Sequence, residues 1–185
     1  MGAAYKNFWS INTDEAVVIG LLRQAIPKHY EMFLPANAQM KDVDLVLINM
    51  KNKKAATIQV KGSRAFEPTK KELAINGAGS AGWFYFGADV VHKSTADYFV
   101  FLVYVLEENK IAGRRNITPH VVVIDTKTLS ELSIKNKKVG KGNRYNYYIW
   151  INPETQKAFE FRDQKYSLDD YLNKNGIGTL VRSLK

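Results

Sequence analysis

The feature that most constrains the fold is the run from Tyr98 to Leu106, in which all nine side chains are apolar or aromatic. A strand with one solvated face alternates apolar with polar residues, and this run has no such alternation. The run therefore predicts a central β-strand that is covered on both faces. Val121 to Asp125 predicts a second strand of the same kind.

The remaining pattern predicts helices on either side of these strands. Hydrophobic spacing and turn residues predict the order helix, strands, helix, strands, helix, which is typical of an α/β protein with a mixed sheet and flanking helices. The first helix has Thr13 as N-cap and ends at Pro27. The other predicted elements are strands at 43–50, 55–61, 83–86, 146–151 and 157–161, a helix at 126–138, and a last helix that starts within 167–173.

Length and composition exclude several classes of protein. A chain of 185 residues fits a single domain, 1–185, with an ordinary hydrophobic fraction of 45%. The absence of cysteine excludes a disulfide scaffold and a zinc-thiolate site and predicts a reducing, cytoplasmic location. No apolar run approaches the roughly 20 residues that span a bilayer, and the N-terminus lacks a signal-peptide layout, so neither a membrane nor secretion is expected.

The charge of the chain points to a polyanionic partner. There are 27 Lys and Arg residues against 18 Asp and Glu residues, a formal net charge of +9. Such an excess attracts nucleic acid, and DNA is the expected partner. An anionic membrane would compete, but no segment is a basic amphipathic helix with a large apolar face. Solubility alone is the simpler alternative.

The segment 43–61 predicts a β-hairpin with one polar face. If the turn is centred on Asn52 and Lys53, Asp44 lies opposite Lys61, and Gln59 shares their face. The opposite face is apolar and predicts core packing, with Val43, Leu45, Leu47, Ala56, Ile58 and Val60. An ordinary cross-strand ion pair between Asp44 and Lys61 is the alternative interpretation.

Glu15 adds a second acidic position. It lies in line with Val18, Ile19, Leu22 and Ile26, so it is expected to point toward the face that the first helix buries. A buried carboxylate needs a partner or a metal. The alternative is a first-turn acid that the helix dipole favours.

These residues resemble the core of the PD-(D/E)XK nucleases. That family has a helix with an acidic residue, a strand bearing Asp, and a strand bearing Glu or Asp, any residue, and Lys. Here Glu15, Asp44 in Val-Asp-Leu-Val-Leu, and Ile-Gln-Val-Lys-Gly-Ser from Ile58 to Ser63 occupy those places, over about residues 10 to 64. The segment from Ala96 resembles the family's next core strand. Gln59 stands where most members carry Glu or Asp. Some active members similarly use Gln at this position.

The resemblance implies a restriction-endonuclease-like fold and Mg²⁺-dependent hydrolysis of DNA, with Mn²⁺ as a substitute. It implies that Asp44, Gln59, the Val60 carbonyl and Glu15 hold the metal and that Lys61 orients the attacking water. Asp42 is a possible substitute for Asp44. A homodimer is expected if both strands are cut. The competing possibilities are a catalytically weak or inactive nucleic-acid-binding member of the same fold and an unrelated basic interaction module.

Several basic or polar residues are candidates for contacting nucleic acid. They are Ser63 and Arg64 after the motif, Arg114 and Arg115 in a predicted basic loop, and Lys137, Lys138, Lys141 and Arg144 ahead of a tyrosine-rich strand. Lysine and arginine are the usual donors to phosphate oxygens. The alternative for the last group is a solvated turn that leads into an aromatic core strand.

We predict that the protein binds duplex DNA with a steep dependence on salt, because cations that neutralise phosphates release counterions. Even two neutralised phosphates lower the affinity about tenfold between about 50 and 200 mM salt. Fluorescence anisotropy with a labelled duplex at several salt concentrations measures this dependence. Affinity that does not change with salt would contradict the prediction.

Overall fold

Two stacked β-sheets with helices around them form the described part of the chain. A computed structural model describes residues 13–35, 42–109, 114–134, 138–139, 143–162 and 166–185. Its elements are α1 Thr13–Ala25, β1 Tyr30–Phe33, β2 Leu45–Asn49, β3 Ala55–Gly62, α2 Lys70–Asn76, β4 Ser80–Gly87, α3 Ala88–His92, β5 Tyr98–Asn109, β6 Arg114–Asp125, α4 Thr126–Ile134, β7 Lys138–Val139, β8 Arg144–Asn152, β9 Lys157–Glu160, a 3₁₀-helix Asp169–Tyr171 and α5 Asn173–Ser183.

The first sheet is mixed. Its strand order is β1-β2-β3-β5-β6, in which β3 and β5 run parallel and the other neighbours antiparallel. The predicted mixed sheet with flanking helices is therefore confirmed. The later strands do not join it, because β4, β8, β7 and β9 form a separate antiparallel sheet.

Strand β5 contributes to two hydrophobic cores, one on each face of the first sheet. Val100 and Leu102 pack into a core that includes residues of α1 and α5. Phe99, Phe101 and Val103 pack into the other core, which includes residues of the second sheet, α3 and α4. Each of these five side chains is at most 1% exposed. The prediction of a central strand covered on both faces is confirmed.

Helix α1 forms as predicted and ends just before Pro27. Acidic residues occupy its first turn, where they complement the helix dipole. Its fully buried residues are Val18 and Leu22, one turn apart and both 0% exposed. Thr13 is the first helical residue rather than the residue before the helix.

The register of the predicted hairpin is wrong by two residues. Leu45 pairs with Ile58 and Ile48 with Ala55, so the strands end earlier than expected. The turn is longer than predicted because Asn49 bonds to both Lys53 and Lys54 through its backbone, and Lys53 adopts a positive φ of 63°. A shift of two residues keeps every side chain on its predicted face. It brings Asp44, rather than Val46, level with Gln59.

Two further expectations about the later segments are corrected. Arg114 and Arg115 belong to strand β6 rather than to a loop. Lys138 lies in strand β7, because helix α4 ends at Ile134. Lys137 and Lys141 lie outside the described residues. The last helix starts at Asn173 after a short 3₁₀-helix.

Helix α5 is tied to the first hairpin through its carbonyl end. The carboxamide nitrogens of Asn49 and Asn52 each donate to the Leu184 carbonyl at 2.9 Å. The Tyr30 hydroxyl donates to the Val181 carbonyl at 3.1 Å. Terminal helix carbonyls lack partners within the helix, so these bonds satisfy them.

None of the helices in the described ranges combines the length and apolar character that a membrane crossing requires.

We predict opposite effects from alanine at two glycines of α5. A Cβ at Gly176 would lie 2.1 Å from the Tyr171 carbonyl oxygen and 2.9 Å from that of Val123. Gly176→Ala must push backbone away and should lower the free energy of unfolding by about 1–3 kcal/mol.

Gly178→Ala is the matched control. Its Cβ would approach only the flexible end of Arg182, at 3.3 Å. Alanine in a helix interior is favoured over glycine, so this variant should be about 0.5–1 kcal/mol more stable than wild type. Urea denaturation of both variants measures the difference, and equal stabilities would show that α5 does not lie this close to β6.

Candidate functional site

Asp44 is held at the end of the first sheet by two hydrogen bonds. It comes immediately before β2, and its backbone N–H donates to the Ile58 carbonyl at 2.9 Å. Its Oδ2 accepts from the Val60 N–H at 2.7 Å. The carboxylate therefore lies beside the backbone of β3, in the middle of the Gln-Val-Lys motif.

Gln59 has a buried oxygen without a hydrogen bond. The residue is 4% exposed, and its Oε1 has no partner within the described part of the chain. A buried polar atom left in this state costs about 1–3 kcal/mol. Gln59 precedes Val60, whose N–H binds Asp44, and the register of β2 with β3 puts Gln59 level with Asp44. This pairing is the strongest geometric indication of a ligand site.

Val60 and Lys61 complete the motif. In an extended strand the N–H and C=O of one residue point to the same edge, so the Val60 carbonyl faces the edge where Asp44 lies. Lys61 lies two residues after Gln59, on the same face of β3, is half-buried, and interacts with another group of the protein. The motif therefore presents one carboxylate, two neutral oxygens and one ammonium group in a single region.

The polar face of the hairpin is not an open surface. In the register of β3 with β5, Gln59 is level with Phe99 and Lys61 with Phe101. Both aromatic residues are buried in the core shared with the second sheet. This second layer covers Gln59, which explains how an uncharged polar residue comes to be almost inaccessible to water.

Asp14 is an acidic residue beside the end of β3 that the sequence pattern did not single out. Its Oδ1 accepts from the Tyr104 hydroxyl at 3.1 Å. A Cβ at Gly62 would lie 1.9 Å from its Oδ2, so the close approach requires glycine at the residue after Lys61. Burial, and then the hydrogen bond to Asp14 and its negative charge, raise the pKa of Tyr104.

The spacing of buried residues along α1 indicates that Asp14 faces the interior. The fully buried Val18 and Leu22 lie four and eight residues after Asp14, on the same stripe of α1. Glu15 lies one position around the helix, is half-buried and interacts with another group. Its assignment to the site stays a prediction.

An open cleft of about 510 Å³ lies at the end of β3. Its lining includes Asp14, Gly62, Ser63, Arg64 and Tyr104. The Ser63 hydroxyl accepts from the Trp83 N–H at 2.8 Å and donates to the Arg64 carbonyl at 3.0 Å. Ser63 is therefore buried and joins β3 to β4, whereas Arg64 is exposed at the cleft.

The other predicted residues lie outside the motif. Arg144 is exposed at the start of β8, with its guanidinium 5.0 Å from the centre of the Tyr85 ring. Asp42 is half-buried, two residues before Asp44. The roles assigned to these residues, to Arg114 and Arg115, and to Lys138 stay predictions.

The described residues contain no group of three or more His, Asp or Glu side chains placed to hold a metal ion. A metal at the motif would therefore be held by the Asp44 carboxylate together with neutral oxygens, those of Gln59 and Val60. Oxygen ligands of this kind suit Mg²⁺, which retains several waters when bound.

Comparison with known proteins finds no matching family model, no matching curated protein and no matching solved structure.

Proposed function

We propose that the chain is a metal-dependent endonuclease that hydrolyses DNA phosphodiester bonds, with a restriction-endonuclease-like core of the PD-(D/E)XK class. One observation carries the proposal. The buried Gln59 Oε1 lacks a partner, and the neighbouring residue, Val60, holds the Asp44 carboxylate at 2.7 Å. Natural proteins seldom leave such an atom unsatisfied without a functional reason.

The order and pairing of the elements support the same proposal. Helix α1 carries an acid, β2 follows an Asp, β3 carries the Gln-Val-Lys motif, and β5 lies parallel to β3. This is the order of elements in the family pattern that the sequence resembles. The Tyr104 hydroxyl of β5 also donates to Asp14 of α1.

The residues present fit a hard divalent cation. Asp44, Gln59 and the Val60 carbonyl would hold Mg²⁺ or Mn²⁺, and an acid of α1, Asp14 or Glu15, would assist through water. When bound, the metal lowers the pKa of a coordinated water and offsets the charge of the transition state.

The protein's own groups perform the remaining work. Lys61 would donate hydrogen bonds to the attacking water and to the phosphate oxygens as their negative charge grows. The Val60 N–H keeps the Asp44 carboxylate in one orientation. The second sheet excludes water from Gln59, which strengthens electrostatic interactions at the motif.

A catalytically weak or inactive DNA-binding protein with the same fold is the second candidate. The observation in its favour is that the described residues bring together no group of three acidic or histidine ligands. Replacement of the usual acid by Gln59 removes one negative charge from the metal site. This candidate shares the DNA affinity but lacks Mg²⁺-dependent cleavage.

We predict that Asp44→Asn and Lys61→Met each reduce Mg²⁺-dependent cleavage of DNA at least about a hundredfold. Asparagine keeps an oxygen that can accept from the Val60 N–H and removes only the charge. Each variant should therefore keep the fold and most of the DNA affinity. Cleavage of a supercoiled plasmid and a gel-shift assay measure the two properties.

Two exposed residues provide matched controls, Asp170→Asn and Lys127→Met, which make the same chemical changes far along the chain from the motif. They should cleave at the wild-type rate. If wild type itself does not cleave while binding persists, the second candidate replaces the first. Cleavage that survives Asp44→Asn would show that the motif is not the catalytic site.

We predict that Gln59→Glu strengthens binding of Mg²⁺ and Mn²⁺, since it places a charged oxygen at the position of the buried, unpartnered one. In metal-free buffer the same variant should unfold more easily than wild type, because a buried carboxylate without a partner is costly. Added metal should restore its stability through linkage.

Calorimetric titration and thermal unfolding with and without metal measure both effects. Gln59→Asn is the matched control, because it shortens the side chain without adding charge. Equal metal affinities for wild type and Gln59→Glu would mean that Gln59 is not a ligand.

A further inference from the structure

The outer face of the second sheet carries an exposed group of aromatic and arginine side chains. Trp83 and Tyr85 of β4 point outward, and each is 44% exposed. Tyr148 of β8 lies level with Trp83 and is half-buried. Arg144 and Arg162 are exposed beside these rings. We call these five residues the aromatic platform.

The rings of the platform lie close together. Trp83 and Tyr148 are stacked, with centroids 6.1 Å apart and planes at 18°. The ring centroids of Tyr85 and Trp83, two residues apart on β4, are 6.4 Å apart. The Trp83 Nε1–H donates to the Asn146 Oδ1 at 3.0 Å, which fixes the orientation of the indole. The platform is therefore a preformed surface rather than a set of independent side chains.

Positive charge accompanies the rings. The Arg144 guanidinium lies 5.0 Å from the centre of the Tyr85 ring, and the Arg162 guanidinium lies 4.6 Å from that of Tyr148. Both distances are within the range of cation–π attraction. Arginine donors beside aromatic faces can bind phosphate while the rings contact bases.

Trp83 and Tyr85 are not members of either hydrophobic core of the described residues. The neighbouring residues of β4 and β8 that point inward, such as Phe84 and Tyr147, are buried and form the core. Trp83 and Tyr85 leave much of their surface in water instead. Exposed apolar surface of this kind marks an interaction site, and here the adjacent charge is positive.

We propose that the aromatic platform binds the unpaired bases of single-stranded nucleic acid. Bases would stack on the exposed faces of Trp83 and Tyr85, and the Arg144 side chain would turn away from the Tyr85 ring to bind the phosphates together with Arg162. Stacking of this kind tolerates any sequence, because every base has an aromatic face. A base-paired duplex hides those faces and would gain only the arginine contacts.

The strand that carries the platform contacts the segment that follows the proposed catalytic motif. The Trp83 N–H donates to the Ser63 hydroxyl, two residues beyond Lys61. A single strand on the platform would thus continue toward the end of β3. This placement rests on the proposed function, whereas binding of single strands does not.

The test measures binding of fluorescein-labelled oligo(dT), about 15 nucleotides long, to the full chain in EDTA. We expect Tyr85→Ala and Trp83→Ala each to weaken binding about tenfold. The same substitutions should weaken binding of a blunt duplex less than about threefold, because the bases of a duplex are not exposed. An oligo(rU) arm shows whether RNA is bound as well as DNA, and either preference supports the proposal.

Phe33→Ala is the matched control, because Phe33 is an aromatic residue of the first sheet and is 48% exposed. It should bind oligo(dT) like wild type. Trp83→Ala also removes the hydrogen bond to Asn146 and could weaken the fold. Tyr85→Ala removes no such bond and therefore tests the platform separately. The proposal is overturned if wild type does not bind oligo(dT), if Tyr85→Ala binds unchanged, or if the losses for oligo(dT) and duplex are equal.

The two proposals fail in different ways. If wild type binds oligo(dT) through Tyr85 but cleaves no DNA in Mg²⁺, the platform stands and the nuclease proposal is wrong. If wild type cleaves DNA and Tyr85→Ala leaves oligo(dT) binding unchanged, the nuclease proposal stands and the platform is wrong.

Discussion

The double burial of β5 is the constraint on which the rest of the structure depends. A strand with apolar residues on both faces must be covered twice, and the two cores on either side of it contain most of the buried hydrophobic residues. Because α1 and α5 cover one face, the second sheet is left to cover the other. The same arrangement makes β3, as the parallel neighbour of β5, an inner strand with limited access to water. A polar motif on β3 is consequently semi-buried.

The sequence predicted the elements better than their arrangement. Strong local patterns, such as the apolar run of β5 and the stripe of α1, determine helices and strands and were interpreted correctly. The register of the hairpin was not, because the turn runs from Asn49 to Lys54 and Asn49 bonds to the distant Leu184, which no local pattern contains. The grouping of strands into two sheets likewise depends on contacts between β4 and β8, which lie about 60 residues apart in the chain.

The sequence predicted only part of the candidate site. Asp44, Gln59 and Lys61 lie close together in the chain, and their common face survives a shift of two residues. Asp14 was missed, since Ile19 and Ile26 made Glu15 look equally well aligned with the apolar stripe. The burial of Gln59 by the second sheet is a tertiary effect without a sequence signal. The tyrosines and Arg144 were recognised as a basic aromatic segment, but their partner Trp83 comes from a separate strand.

The bonds from Tyr30, Asn49 and Asn52 to the carbonyls of α5 bear on the order of folding. They join residues 151, 135 and 132 positions apart. Closing loops of that length is entropically unfavourable until many other contacts have formed, so chains rich in such contacts fold slowly. During synthesis, the buried carboxamide of Asn49 therefore finds its acceptor only after α5 has been made. Packing of the first hairpin is consequently completed late, and a chain interrupted before α5 would leave this amide without its acceptor.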